Sequence, residues 1–182
     1  MDIAGVLITV IVLFAVAIIW MYNRLVYHRN LVSEAWAGID VQLQKRFELV
    51  PNLVQTVKAY ARHEATVLEE VANIRNTTET RVNARAQQET ALSRSLGQLF
   101  AIAEDYPDLK ASGGFQQLHS SLVEIEDQLQ YARRYYNGAV RNNNNMVESF
   151  PSNIVANVFR FCVAEFFEIE LAVQRNVPSV DL

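Results

Sequence analysis

An all-α fold is predicted by three features of this 182-residue chain. Glycine and proline are sparse, at 6 and 4 residues, so long uninterrupted helices fit better than a sheet built from many turns. Apolar residues recur at steps of three and four over long stretches, the spacing of one face of a helix. The amino terminus opens with an uncharged apolar run that fits one membrane-crossing helix. The expected architecture is an N-terminal transmembrane helix over residues 3–21, continuing into an antiparallel bundle of about four helices over 22–170, with a long kinked first helix. Residues 171–182 are expected to be a mobile tail.

The anchor is the first element. From Ile3 to Met21 no charge occurs, and at about 1.5 Å per residue the segment spans a hydrocarbon core. Trp20, Tyr22 and Tyr27 supply the aromatic belt of a helix leaving the bilayer. A cleaved signal peptide is the competing reading. No Lys or Arg precedes the run, and Ala15-Val16-Ala17 lies inside it rather than after it, which favours an uncleaved anchor. Arg24 and Arg29 follow the span while only Asp2 precedes it, so the main domain is expected in the cytoplasm with the amino terminus outside. A periplasmic or extracellular main domain is the alternative.

The seam of the first helix continues through Val32, Trp36, Ile39, Leu43, Phe47, Val50, Val54, Val57 and Ala61 to Leu68, Val71 and Ile74. Pro51 interrupts it without shifting its phase. One helix to about Asn76, kinked at the proline, is therefore expected, with a true break at Pro51 as the alternative. Residues 76–83 carry no apolar pattern and read as a connection. Leu92, Leu96, Leu99 and Ala103 mark a second helix that Tyr106-Pro107 should end or restart. A third is patterned by Phe115, Leu118, Leu122, Ile125, Leu129, Ala132, Tyr136 and Val140, with Glu126, Asp127, Arg133 and Arg134 largely off that face. A polar run, Asn142 to Asn145, precedes Phe150-Pro151-Ser152-Asn153, which combines a breaker with cap residues for a short fourth helix near Ile154.

Composition restricts the chemistry. The net charge is -4 with both signs interspersed, and no face reads as a phosphate-binding stripe, so nucleic acid is not an expected partner. Cys162 is the only cysteine; among Phe159, Phe161, Val163 and Phe166 it reads as a small buried hydrophobe. His63-Glu64 begins like a zinc-protease helix, but Val67 stands where the second histidine is required. Three scattered histidines give no ligand spacing for a metal, and no nucleophile elbow or phosphate-cradling glycine loop occurs. Paired acids such as Glu69-Glu70 and Glu104-Asp105 read as solvated helix faces. Neither an enzyme nor a cofactor is expected.

Two sets of residues are candidates for interaction. Asp40, Arg46, Asn52 and Lys58 interleave with the seam around Pro51 and are either a locally hydrogen-bonded kink or a notch for a partner. Phe159, Phe161, Phe166 and Phe167 either cover the end of the bundle or form an aromatic ridge for self-association or membrane-surface contact.

Several longer motifs are more specific. Tyr22-Asn23, Ala35-Trp36, Ile39-Asp40-Val41-Gln42-Leu43, Leu49-Val50-Pro51-Asn52-Leu53-Val54 and the stretch from Val57 to Glu64 occur in that order. They are followed by the stretch from Tyr106 to Ala111, Arg134-Tyr135-Tyr136-Asn137 and Phe150-Pro151-Ser152-Asn153. Together these resemble the LemA family from Tyr22 to about Phe167. The resemblance implies a single-pass bacterial membrane protein with a bromodomain-like four-helix bundle and no established biochemical activity, so it carries over no catalytic residue. Two positions depart from the family pattern: Asn142 to Asn145, where a Tyr-Asn pair is more frequent, and Arg160, where glycine is common. The expected role is a non-enzymatic, self-assembling scaffold or adaptor in the bacterial inner membrane. Its expected partners are the lipid bilayer, further copies of itself and other envelope proteins. The alternative role, implied by family association alone, is an accessory to membrane-protein quality control beside a membrane protease.

Overall fold

A computed structural model of the chain describes residues 2–60 and 82–167. These residues form five helices: α1 (Ile3–Tyr60), α2 (Val82–Glu104), α3 (Pro107–Ala111), α4 (Gly113–Glu148) and α5 (Ser152–Val158). The short α3 is the addition to the expected four, because Pro107 occupies the first position of a new helix, where a missing N–H costs nothing. Val82 and Asn83, expected in a connection, already belong to α2. The expected extension of α1 from Ala61 to Asn76, the His63-Glu64 pair and the tail over 171–182 lie outside the described residues.

Helix α1 runs through Pro51 without interruption, so the alternative of two separate helices does not hold. Near the proline the Thr56 hydroxyl donates to the Asn52 carbonyl at 2.8 Å, a local bond inside the same helix. The polar run Asn142 to Asn145 likewise does not end α4, which continues to Glu148.

The described chain divides into two compact units, and α1 and α4 contribute to both. In the first, comprising residues 1–39 and 132–165, Leu25 of α1 packs on Val155 and Ala156 of α5, with Ile18, Met21, Met146, Val147 and Phe161 around them. Trp36 meets Tyr136 with ring centroids 5.5 Å apart. Rising numbers on α1 thus meet falling numbers on α4, so the two helices are antiparallel there.

The second unit includes residues 40–131 and holds the larger core. Val50, Leu53, Val54 and Val57 of α1, Leu92, Leu96, Leu99 and Ala103 of α2, Leu109 of α3, and Phe115 and Leu122 of α4 make one buried cluster. Within it α2 runs parallel to α1: Arg85 reaches Asp40 at 3.3 Å, and Ser93 accepts a hydrogen bond from Arg46 at 3.2 Å. The three- and four-residue spacing located this core correctly. All four expected seam residues of α2 are buried, and in α4 only Leu118 and Ala132 are less than fully so.

Helix α5 ends in a Schellman arrangement. Phe161 N–H donates to the Ala156 carbonyl at 2.9 Å and Arg160 N–H to that of Asn157 at 3.4 Å. The turn requires the left-handed region at Arg160, where φ is 58°, a conformation that costs a residue with a β-carbon about 1 kcal/mol or more. Glycine, with no β-carbon, would adopt it freely. Beyond Arg160 the chain leaves helical structure, and residues 161–167 run on as a strap.

Candidate functional site

Three places concentrate polar or aromatic chemistry, and each lies within one unit. The first is a buried charge cluster in the second unit. Arg46, 5% exposed, ion-pairs with the buried Glu89 of α2 and, at 2.7 Å, with Glu126 of α4, while also donating to Ser93. One guanidinium thereby ties three helices together. A planar fork with five donors suits this, because charges removed from water must be met by opposite charge and hydrogen bonds. Arg46 is consequently spent on the interior and offers nothing to a partner. Glu126 was expected off the packed face and instead turns toward Arg46.

Asp40, Asn52 and Lys58, grouped with Arg46 by sequence, are all exposed. Asp40 takes the Arg85 guanidinium, which also sits 5.4 Å from the Phe47 ring. Successive members of the four are six residues apart, and at about 100° per residue such steps scatter around a helix instead of lining one face. They do not assemble into a notch.

Glu89 was missed by the sequence reading. Its signal was available, since it falls three residues before Leu92 and three after the buried Ala86, on the packed face of α2. A carboxylate on a seam asks for a buried cation, and Arg46 falls three residues after Leu43 on the packed face of α1.

The second place is the part of the strap that belongs to the first unit, residues 161–165. Asn144 accepts from Ala164 N–H at 2.8 Å and donates to the Ala164 carbonyl at 2.9 Å, so one carboxamide satisfies both backbone groups of that residue. Asn143 donates to the Cys162 carbonyl at 3.5 Å, and the Tyr136 hydroxyl donates to that of Glu165 at 2.9 Å. Burial, together with the Glu165 charge, holds the Tyr136 phenol above its ordinary pKa. The run of asparagines is thus a helix face that hydrogen-bonds an extended backbone.

The four phenylalanines are divided between the units, Phe159 and Phe161 in the first and Phe166 and Phe167 in the second. Phe167 is buried, whereas Phe159 and Phe166 are exposed. Phe159 and Phe161 meet the edge of Tyr22 at 4.9 and 5.7 Å, and Arg29 lies 5.4 Å from the Phe161 ring centre. Cys162, expected to be buried, is exposed; the strap places its side chain outward. Also in the first unit, His28 is buried with no partner for Nδ1, and burial, aided by the Arg24 charge, lowers its pKa.

The third place is an open pocket of about 230 Å³ in the second unit, lined by Phe100, Ala103, Glu104, Lys110, Phe115, Gln116 and His119. The Phe100 and His119 rings meet edge to face at 4.7 Å, and Glu104 and Lys110 pair with each other in solvent. Among the described residues no group of three metal-ligating side chains occurs.

Outside these sites the dominant surface feature is the apolar start of α1. It is long and apolar enough to cross a membrane, with a mean hydropathy of 3.0 over its best window, and none of that window is buried within the protein. Among the described residues the regular structure is helical and the first helix joins a span-length exposed apolar segment to a packed core, which defines the class: a helical protein with a candidate N-terminal membrane span. The sequence model of the LemA family matches residues 35–182, and the chain belongs to that family. More distantly, it is 34% identical over 74 residues to the magnetosome proteins MamQ 1 and MamQ 2 of Paramagnetospirillum magneticum. It is 29% identical over 73 residues to magnetosome protein MamQ of Magnetospirillum gryphiswaldense. These matches cover 40–41% of this chain and only 27% of each relative.

Proposed function

We propose that this protein is a non-catalytic scaffold, anchored in the bacterial inner membrane by α1 and assembling with further copies of itself. One observation carries the anchoring: the exposed apolar segment and the core-forming seam are parts of the same uninterrupted helix. Ile18 and Met21, at the end of the apolar run, pack on the cluster around Leu25, Val155 and Ala156. Cleavage after that run, as in a signal peptide, would strip two side chains from a packed cluster, so retention of the segment is the physically consistent reading.

The non-catalytic part draws on how the polar groups are used. Arg46 is engaged by Glu89 and Glu126, and the asparagines Asn143 and Asn144 of α4 are engaged with backbone. A scaffold needs a stable body and an anchor, and these are what the side chains build.

Light scattering on the detergent-solubilised full-length chain tests the assembly. A defined oligomer over a wide concentration range is expected. A monomer at all concentrations would remove self-assembly and leave anchoring alone. Alkaline carbonate washing of membranes tests the anchor, which should hold the protein in the pellet.

A further inference from the structure

Helix α5 lies beside the point where the apolar run of α1 ends. Its inner residues Val155 and Ala156 pack on Leu25, and Ile18 and Met21 join the same cluster. Phe159, just past its end, meets the Tyr22 ring edge to face. The α1 residues it meets, from Ile18 to Leu25, cover about 10 Å along the helix axis. That is the depth of a bilayer's interfacial zone, about 5–10 Å.

The outward side of this element is apolar. Ile154 and Val158, one helical turn apart, are 55% and 70% exposed, and Phe150, in the turn leading into the helix, is 80% exposed. Three large apolar side chains held in water within nine residues are unfavourable, because each keeps apolar surface hydrated. Exposed patches of this kind mark contact surfaces. Exposed cations accompany them: Arg24 and Arg29 follow the span, and Arg160 closes α5.

We propose that α5 is a second membrane contact, with Phe150, Ile154 and Val158 seated in the boundary between headgroups and acyl chains beside the exit of α1. Arg24, Arg29 and Arg160 then lie at the depth of the lipid phosphates, where guanidinium groups pair well with anionic oxygens. The occupant is lipid because continuity dictates it: once α1 crosses the bilayer, the apolar phase reaches the level of Ile18 and Met21, to which α5 is bound. The inference rests on the anchoring proposed above. Its consequence is that the chain is held at two points, so that α5 fixes the first unit against the membrane surface.

The test uses the full-length chain reconstituted in phosphatidylcholine vesicles whose acyl chains carry bromine, which quenches tryptophan on contact. Three single-tryptophan chains are compared: Trp36→Phe, which keeps Trp20; Trp20→Phe, which keeps Trp36; and Val158→Trp in a chain lacking both. Val158 is largely exposed, so its replacement leaves the fold intact, and Ile154→Trp serves as an independent probe. At least a twofold loss of emission is expected for Trp20 and for the position 158 and 154 probes, relative to Trp36. Quenching of Trp20 without quenching at 154 or 158 overturns the α5 contact while anchoring by α1 stands. No quenching at any position overturns both.

Discussion

Arg46 is the side chain whose loss should be felt most. Removing the cation leaves the buried Glu89 charged and desolvated, while Glu126 keeps access to solvent, and stripping a buried charge of its partner costs about 3–5 kcal/mol. Arg46→Ala should destabilise the chain by that amount in chemical denaturation followed by circular dichroism. Arg46→Leu combined with Glu89→Leu should cost much less, because the paired charges leave together. His28 gives a pH dependence of definite sign. Its pKa is lowered in the folded protein by burial and by Arg24, so below the unfolded value of about 6.5 the unfolded chain binds the extra proton. Its contribution is therefore complete above that value and is lost as pH falls through and below it toward the depressed folded value. The melting temperature of the native chain should drop between pH 7.5 and pH 5 by more than that of His28→Leu. Equal drops in the two chains would remove His28 as the cause. The pH dependence of His28 was not legible in the sequence and the Arg46 cluster only in part: the seam positions of Arg46 and Glu89 gave the face each side chain takes, but a linear pattern does not say what stands opposite.

At the scale of elements, the periodic signal served helices well and the strap poorly. Helices α1, α2 and α4 were read from their seams, since burial on one side of a helix repeats every three to four residues. Residues 161–167 have no such repeat. Their order comes from Asn143, Asn144 and Tyr136, which reach them from α4 about twenty to thirty residues earlier in the chain. The asparagine run looked like a place where a helix stops, because such side chains compete with the backbone for hydrogen bonds. Here they are directed to a different segment, and the helix continues. Asn144→Ala removes both bonds to Ala164 and should cost about 1–3 kcal/mol if its groups are left unsatisfied. Hydrogen exchange at Ala164 N–H should accelerate by at least tenfold, while amides in the middle of α4 stay protected.

For the whole molecule the open property is orientation, and the single exposed thiol gives access to it. With the amino terminus outside and the main domain in the cytoplasm, Cys162 should resist a membrane-impermeant maleimide in intact cells and react once the membrane is opened. Labelling in cells whose inner membrane is sealed would place that domain on the outer side. Sequence by itself determined the helical class, the span-length apolar segment, the order of the helices and most of the buried seam, because these depend on local spacing and on length against a bilayer. Only the tertiary structure decided that Glu89 and Glu126 converge on Arg46, that Asn144 holds Ala164, that Phe167 is buried while Cys162 is not, and that α5 sits against the end of the apolar run. Each of these joins residues far apart in the chain, and the energy of such a contact depends on which faces meet, a quantity that no local pattern contains.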